Sequence, residues 1–212
     1  MSADLQLPRL YAILDPSRLP PAMSVAEYAQ QLIAGGVRLL QYRNKSQMGK
    51  ALLADAAELK RIAKSSGSKA TLIFNDRPDL CVAAGFDGVH LGQDDISTTA
   101  ARVVCKPPVL IGLSTHNLQQ VKAADKLPID YIAIGPVFAT ATKTSSNAVV
   151  GLQCVRQARQ FTDKPLVAIG GITRKNCRSV IEAGADSVAV ISDLAADGTP
   201  RQTTEEFLKI LR

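Results

Sequence analysis

The chain has 212 residues, 46% hydrophobic and 21% charged, with a formal net charge of +6. That length and balance fit one globular domain over residues 1–212 and exclude both a disordered segment and a small module stapled by disulfides. The basic residues are dispersed and Trp is absent, so nucleic acid is not an expected partner, and the mild basic excess suits an anionic small molecule.

Cys81, Cys105, Cys154 and Cys177 form no Cys-x-x-Cys pair, which argues against a zinc site or a redox motif. They read as small buried apolar residues in a reducing compartment. The opening "MSADLQLPRLYAILD" has neither a basic flank nor an apolar signal core, and no later run is long enough to span a bilayer. A cytoplasmic protein with no membrane partner is expected.

In chain order, short apolar runs predict strands at Arg9–Leu14, Val37–Tyr42, Ala70–Phe74, Gly88–Leu91, Val109–Leu113, Tyr131–Ile134, Pro165–Ile169 and Ser187–Ile191. Their apolarity is continuous rather than alternating, the pattern of strands buried on both faces of a parallel sheet. Between them, stretches such as "SVAEYAQQLIAGG" and "MGKALLADAAELKRIAKSSG" repeat apolar residues at helical spacing and stop at Gly. The repeats "AGG", "AGFDGV" and "AGADSV" join a helix end directly to the next strand. About eight strand–helix units predict a (β/α)8 TIM barrel of the α/β class, with an open doubly wound sheet as the alternative.

In a barrel the strand exits gather at one rim, where the chemistry of this fold resides. The exits carry Gln41, Arg43 and Lys45; Asn75 and Asp76; Gln93, Asp94 and Asp95; Ser114 and His116; Thr140, Thr142 and Lys143; Gly170 and Gly171; and Ser192. The strand starts show no comparable set. Gln41, Arg43 and Lys45 lie at period two and face one way; turned inward, they form a receptor for anionic oxygen, and turned outward, a solvated edge.

Asn75 and Asp76 could cap the next helix, but Asp94 and Asp95 stand at the neighbouring exit. Carboxylates converging from two strands need a proton or a cation between them. With no His/Cys cluster nearby, that cation is a hard one such as Mg²⁺; an acid–base carboxylate pair is the alternative. The long loop "GPVFATATKTSSNAVVGL" offers Thr140, Thr142 and Lys143 to phosphate oxygens, or is a surface loop. Gly170 and Gly171 with a following helix N-terminus suit a phosphate at the seventh and eighth strands. His90, inside a strand, reads as a satisfied barrel residue rather than a catalyst, and His116 as an early-turn residue of a helix. No nucleophilic triad is supported. Two anion regions on one rim suit the joining of two phosphorylated molecules with diphosphate as leaving group.

The blocks "QYRNK", "NDRPDL", "GFDGVHLGQDD", "IGLSTH", "DYIAIGPVFATATK", "AIGGIT" and "AGADSVAVIS", in this order over nearly the whole chain, resemble the thiamine-phosphate synthase family. The resemblance implies a transferase that joins 4-amino-5-hydroxymethyl-2-methylpyrimidine diphosphate to a 4-methyl-5-hydroxyethylthiazole phosphate and releases diphosphate, with CO2 also lost when the thiazole carries a 2-carboxylate. By position, it implies Asp76 and Asp95 as Mg²⁺ ligands. It places Gln41, Arg43, Lys45, Asn75 and Lys143 on the pyrimidine diphosphate, with Thr140 and Thr142 beside them. Ser114 faces the pyrimidine, and Gly171, Ile191 and Ser192 hold the thiazole phosphate. Arg43, Lys45 and Lys143 would stabilise the departing diphosphate.

Two departures from the family pattern stand out. Asp94 occupies a position more often Glu, and "TSSNAVV" differs from the usual wording after Thr-x-Thr-Lys. Two rivals stay open at this level, a thiazole tautomerase-like isomerase and a non-catalytic binder of thiamine precursors. A homo-oligomer is compatible with every reading.

Overall fold

The computed structural model describes residues 5–20, 22–140, 148–196 and 199–212. Eight parallel strands close into a barrel in sequence order. They are β1 (Leu10–Leu14), β2 (Leu39–Tyr42), β3 (Thr71–Asn75), β4 (Gly88–Leu91), β5 (Leu110–Thr115), β6 (Tyr131–Ile134), β7 (Leu166–Ile169) and β8 (Ser187–Val190). The helices are α1 (Val25–Ala34), α2 (Gly49–Ser65), α3 (Pro78–Ala83), α4 (Thr98–Val104), α5 (Leu118–Asp125), α6 (Gly151–Arg159), α7 (Cys177–Glu182), α8 (Ser192–Ala195) and α9 (Pro200–Ile210). The expected barrel is therefore present, and the open-sheet alternative falls because β8 pairs with β1 through Leu10 and Val188. Among the described residues, no helix is long and apolar enough to cross a membrane.

Continuous apolarity in the strands has a simple cause: alternate residues face two different cores. Leu10, Ala12 and Leu14 of β1 pack outward with the helices, while Tyr11 and Ile13 point into the barrel with Leu39, Ile73, Tyr131, Ala133, Val167 and Ala189. The helices bury their apolar stripe against that outer layer. In α1, Tyr28, Ala29, Leu32 and Ile33 are buried, and the start is set by a capping box in which Ser24 and Glu27 each bond the other's backbone N–H.

Strand boundaries depart from the sequence expectation by one or two residues. β3 includes Asn75 and β5 runs on to Thr115, so Ser114 lies within a strand rather than beyond one. Cys81, Cys105 and Cys177 are buried free thiols, as expected, whereas Cys154 is only partly buried. Burial pushes the Cys81 thiol up to about 12, which keeps it protonated and unreactive.

The strand starts, read from sequence as carrying no polar set, do carry one. Asp87, Asp130 and Asp186 immediately precede β4, β6 and β8, and their carboxylates accept the backbone N–H of Leu72, Ile111 and Leu166 on the preceding odd-numbered strand, at 2.7, 2.7 and 2.8 Å. Arg102 and Arg159 pair with the second and third of these acids. Each acid stitches two neighbouring strands at the rim opposite the cavity, a stabilising role that explains the Asp of "AGFDGV" and "AGADSV".

Candidate functional site

At the strand-exit rim the barrel opens into a cavity of about 830 Å³. Gln41, Arg43 and Lys45 all line it, so the period-two reading of β2 resolves inward. Tyr42 between them turns outward to Asp55. Arg43 is paired with Asp15, a residue 4% exposed at the exit of β1 that sequence reasoning missed. Oδ1 of Asp15 accepts from the Ser17 N–H (3.0 Å) and hydroxyl (2.7 Å), which leaves Oδ2 for the guanidinium. The signal was available: an acid directly after the apolar run "LYAIL" occupies a strand exit like the others.

Asn75 and Asp76 are not helix caps. The N-cap of α3 is Arg77, which makes no side-chain cap bond and pairs instead with Asp79. Asp76 has φ 62, a left-handed conformation that Asp tolerates better than most residues, and donates its N–H to His90 O at 2.8 Å. Its carboxylate lies 3.0 Å from Lys45 Nζ. Asp95 folds back so that Oδ2 accepts the Gly92 N–H at 2.6 Å. Its carboxyl is held above the usual range chiefly by burial; the Gly92 N–H opposes this and the adjacent Asp76 carboxylate adds to it.

Two acids from neighbouring exits thus do meet. No group of three or more His, Cys, Asp or Glu side chains gathers among the described residues. A metal here would take two carboxylates from the protein and its remaining ligands from water or substrate oxygens. That donor set fits Mg²⁺ and does not fit a transition metal that prefers nitrogen or sulfur. Asp94 also lines the cavity and is exposed.

Below the rim, a chain of hydrogen bonds crosses the barrel. Gln41 Nε2 donates to Tyr11 Oη (2.8 Å), Tyr11 Oη meets Tyr131 Oη (2.9 Å), His90 Nδ1 meets Tyr131 Oη (3.0 Å), and His90 Nε2 meets Ser114 Oγ (2.8 Å). His90 is therefore a satisfied barrel residue, as expected. Its imidazole also stacks on the Tyr131 ring, with centroids 5.5 Å apart. The Tyr131 ring occupies space that β5 vacates by carrying Gly112, where a Cβ would lie 2.0 Å from ring carbon.

His116 is not in the first turn of a helix. It precedes Asn117, the N-cap of α5, and its Nδ1 lies 2.7 Å from Gly135 O, tying the β5 exit to the β6 exit. Thr140 lines the cavity, whereas Thr142 and Lys143 lie outside the described residues.

Gly170, Gly171, Ile191 and Ser192 complete the far wall. Gly171 has φ 62, and a Cβ there would stand 2.5 Å from Ala139 O and 2.8 Å from Phe138 Cβ. The residue must be Gly because the loop after β6 packs directly on it, with the Phe138 N–H bonded to Gly170 O at 3.0 Å. The helix start adjoining this wall is that of α8, reached directly from β8; α7 begins only at Cys177 after a longer loop.

All the described strand-exit residues singled out from sequence therefore reach one cavity. The sequence model of the family described as thiamine monophosphate synthase matches residues 10–194. A thiamine-phosphate synthase of Koribacter versatilis is 55% identical over 100% of this chain and 99% of its own length. One from Shouchella clausii is 39% identical over 94% of each chain. Among solved structures, a thiamine phosphate pyrophosphorylase from Pyrococcus furiosus superposes with a TM-score of 0.85 at 31% identity, covering 96% of this chain and 95% of that one. With its closed barrel and these full-length matches, the chain belongs to the thiamine-phosphate synthase family of transferases.

Proposed function

We propose that the chain joins 4-amino-5-hydroxymethyl-2-methylpyrimidine diphosphate to 4-methyl-5-hydroxyethylthiazole phosphate, or its 2-carboxy form, giving thiamine phosphate and diphosphate. The observation that carries this reading is the convergence of Arg43, Lys45, Asp76 and Asp95 on one side of a cavity whose other side is walled by Gly171, Ile191 and Ser192. Two anion-binding regions on one rim match two phosphorylated reactants.

Arg43, oriented by Asp15, and Lys45 would take the diphosphate oxygens, joined by Lys143. Asp76 and Asp95 would hold Mg²⁺, which supplies positive charge to the leaving diphosphate. In forming the ion pair with Asp76, Lys45 already places an ammonium at this corner. As the C–O bond to diphosphate breaks, negative charge grows on oxygens facing these cations, while the electron-rich aminopyrimidine stabilises its exocyclic CH2 as a cation.

The thiazole nitrogen then forms the new C–N bond. Backbone N–H groups of Gly171, Ile191 and Ser192 would hold the thiazole phosphate so that this nitrogen faces the carbon, while Thr140 and Thr142 would stand beside the pyrimidine diphosphate. Gln41, Asn75 and Ser114 would seat the pyrimidine. No protein nucleophile is needed for either step.

The test is a discontinuous assay with both substrates and Mg²⁺, product oxidation to a fluorescent thiochrome, and Asp76→Ala alongside. The expected result is Mg²⁺-dependent product that falls sharply in the variant. Folded protein that binds thiazole phosphate but forms no product would overturn the reading in favour of an isomerase or a binder.

A further inference from the structure

The hydrogen-bond chain beneath the cavity has a direction, and the direction decides what its two ends offer a ligand. Tyr11 accepts from Gln41 Nε2, so its single O–H proton is directed at Tyr131. Tyr131, having accepted, directs its own proton at His90 Nδ1. A neutral imidazole with an acceptor Nδ1 carries its proton on Nε2, which then donates to Ser114 Oγ. Ser114 has its hydroxyl proton left for the cavity. At the other end, Gln41 spends an N–H inward, so its carbonyl oxygen is the acceptor it can offer a ligand in the cavity it lines.

With the imidazole neutral, reversing any one link reverses all of them. If Gln41 flipped its amide, Tyr11 would donate to it, Tyr131 to Tyr11, and His90 Nδ1–H to Tyr131. Ser114 would then donate to Nε2 and present only lone pairs outward. The two ends are therefore tied: one is an acceptor when the other is a donor. Tyr11 and Tyr131 are 1% and 0% exposed, so water offers neither phenol an alternative partner. Burial also holds both phenols protonated across the neutral range.

We propose that Tyr11, Tyr131 and His90 act as positioning residues that fix Gln41 as an acceptor and Ser114 as a donor, and so select an aminopyrimidine over its oxo counterpart. An exocyclic NH2 at C4 donates and the unprotonated ring nitrogen N1 accepts, the complement of the two ends. A 4-oxo pyrimidine, an N3–H lactam, replaces the NH2 by a carbonyl and keeps N1 an acceptor, so it presents acceptors to both ends. Turning Gln41 to suit it would cost Ser114 its outward proton. The inference rests on the proposed reaction and assigns the substrate preference to groups at the barrel floor, among which Tyr131 does not line the cavity.

The experiment uses the full chain and the 5-(phosphooxymethyl)-2-methylpyrimidines that carry a 4-amino or a 4-oxo group, which lack the diphosphate leaving group, with affinities measured by calorimetry. Wild type should prefer the amino compound by at least about tenfold. Tyr131→Phe, which cuts the chain at its centre while keeping the ring, should narrow the preference to about threefold or less. Tyr11→Phe should act in the same direction. A variant in which both affinities fall together with the ratio unchanged would overturn the inference while leaving the reaction standing. Wild type that binds the two compounds equally would overturn the inference alone, and wild type that binds neither and forms no thiamine phosphate from the diphosphate would overturn the reaction as well. Independently of any variant, ¹⁵N NMR of His90 in wild type should show the Nε2–H tautomer; the Nδ1–H tautomer would overturn the assigned direction.

Discussion

Asp15→Asn isolates the contribution of the β1 exit to the reaction. The side chain is almost isosteric, yet the geometry around it makes the change severe. Oδ1 is committed to the N–H and hydroxyl of Ser17, so the amide that replaces Oδ2 turns N–H groups toward the Arg43 guanidinium. A charge-assisted bond becomes donor against donor. Asp15 is 4% exposed and Arg43 19%, so water can replace little of what is lost.

A hydrogen bond to a charged group contributes roughly 1.5–3 kcal/mol, which at about 1.4 kcal/mol per decade is about ten- to a hundredfold. If Arg43 is held in place for the diphosphate, kcat/KM for the pyrimidine diphosphate should fall by that factor. The KM for thiazole phosphate should stay within about twofold, because Gly171, Ile191 and Ser192 are untouched. Stability should fall too, by about 2–4 °C in Tm for each kcal/mol lost in a chain of this size. The assay is steady-state thiochrome fluorescence with each substrate varied in turn, and thermal unfolding alongside. A lower Tm with wild-type kcat/KM would refute the reasoning, since it would make the pair a structural contact only. A rise in the thiazole phosphate KM as large as that in the pyrimidine diphosphate KM would refute its local character.

Gly171→Ala combines a left-handed φ, costing about 1–2 kcal/mol, with an overpacked contact costing about 1–3 kcal/mol. Denaturant unfolding should show a loss of roughly 2–5 kcal/mol, with weakened thiazole phosphate binding as the β6 loop is pushed away; a change under about 0.5 kcal/mol would contradict the contact. Glu27 is held below its ordinary value of 4.5, first by the Ser24 N–H and then by the Ser24 hydroxyl. A carboxyl lowered in the folded state contributes stability above its unfolded pKa and loses it as pH falls through the folded value. NMR titration should place Glu27 below 4.5, and Ser24→Ala should return it toward that value; wild-type titration at 4.5 would show that the capping box does not form in solution.

The sequence alone determined the architecture and most of the rim. Eight apolar runs too short for helices, each succeeded by a helical period, leave a parallel barrel as the natural way to bury strands on both faces. In a barrel, the residues just past each strand belong to the site. That rule, applied locally, reached Gln41, Arg43, Lys45, Asn75, Asp76, Asp95, Ser114, Gly171 and Ser192, all of which line one cavity. Alternation along a strand is set by backbone geometry, so the inward face of β2 was also legible without a partner in view.

Tertiary structure decided who meets whom. Asp15 finds Arg43 at a separation of 28 residues, and Tyr11 finds Tyr131 at 120, because barrel closure brings together side chains whose spacing along the chain carries no signal. Gly112 shows the same limit: its neighbours in sequence do not ask for glycine, and only the Tyr131 ring on the adjacent strand does. The acids at the strand starts were overlooked for a related reason. Asp87, Asp130 and Asp186 bond backbone N–H groups that lie 15 to 20 residues earlier in the chain, on strands that pairing alone makes adjacent. Periodicity reports which way a side chain points, and only the closed barrel supplies what it points at.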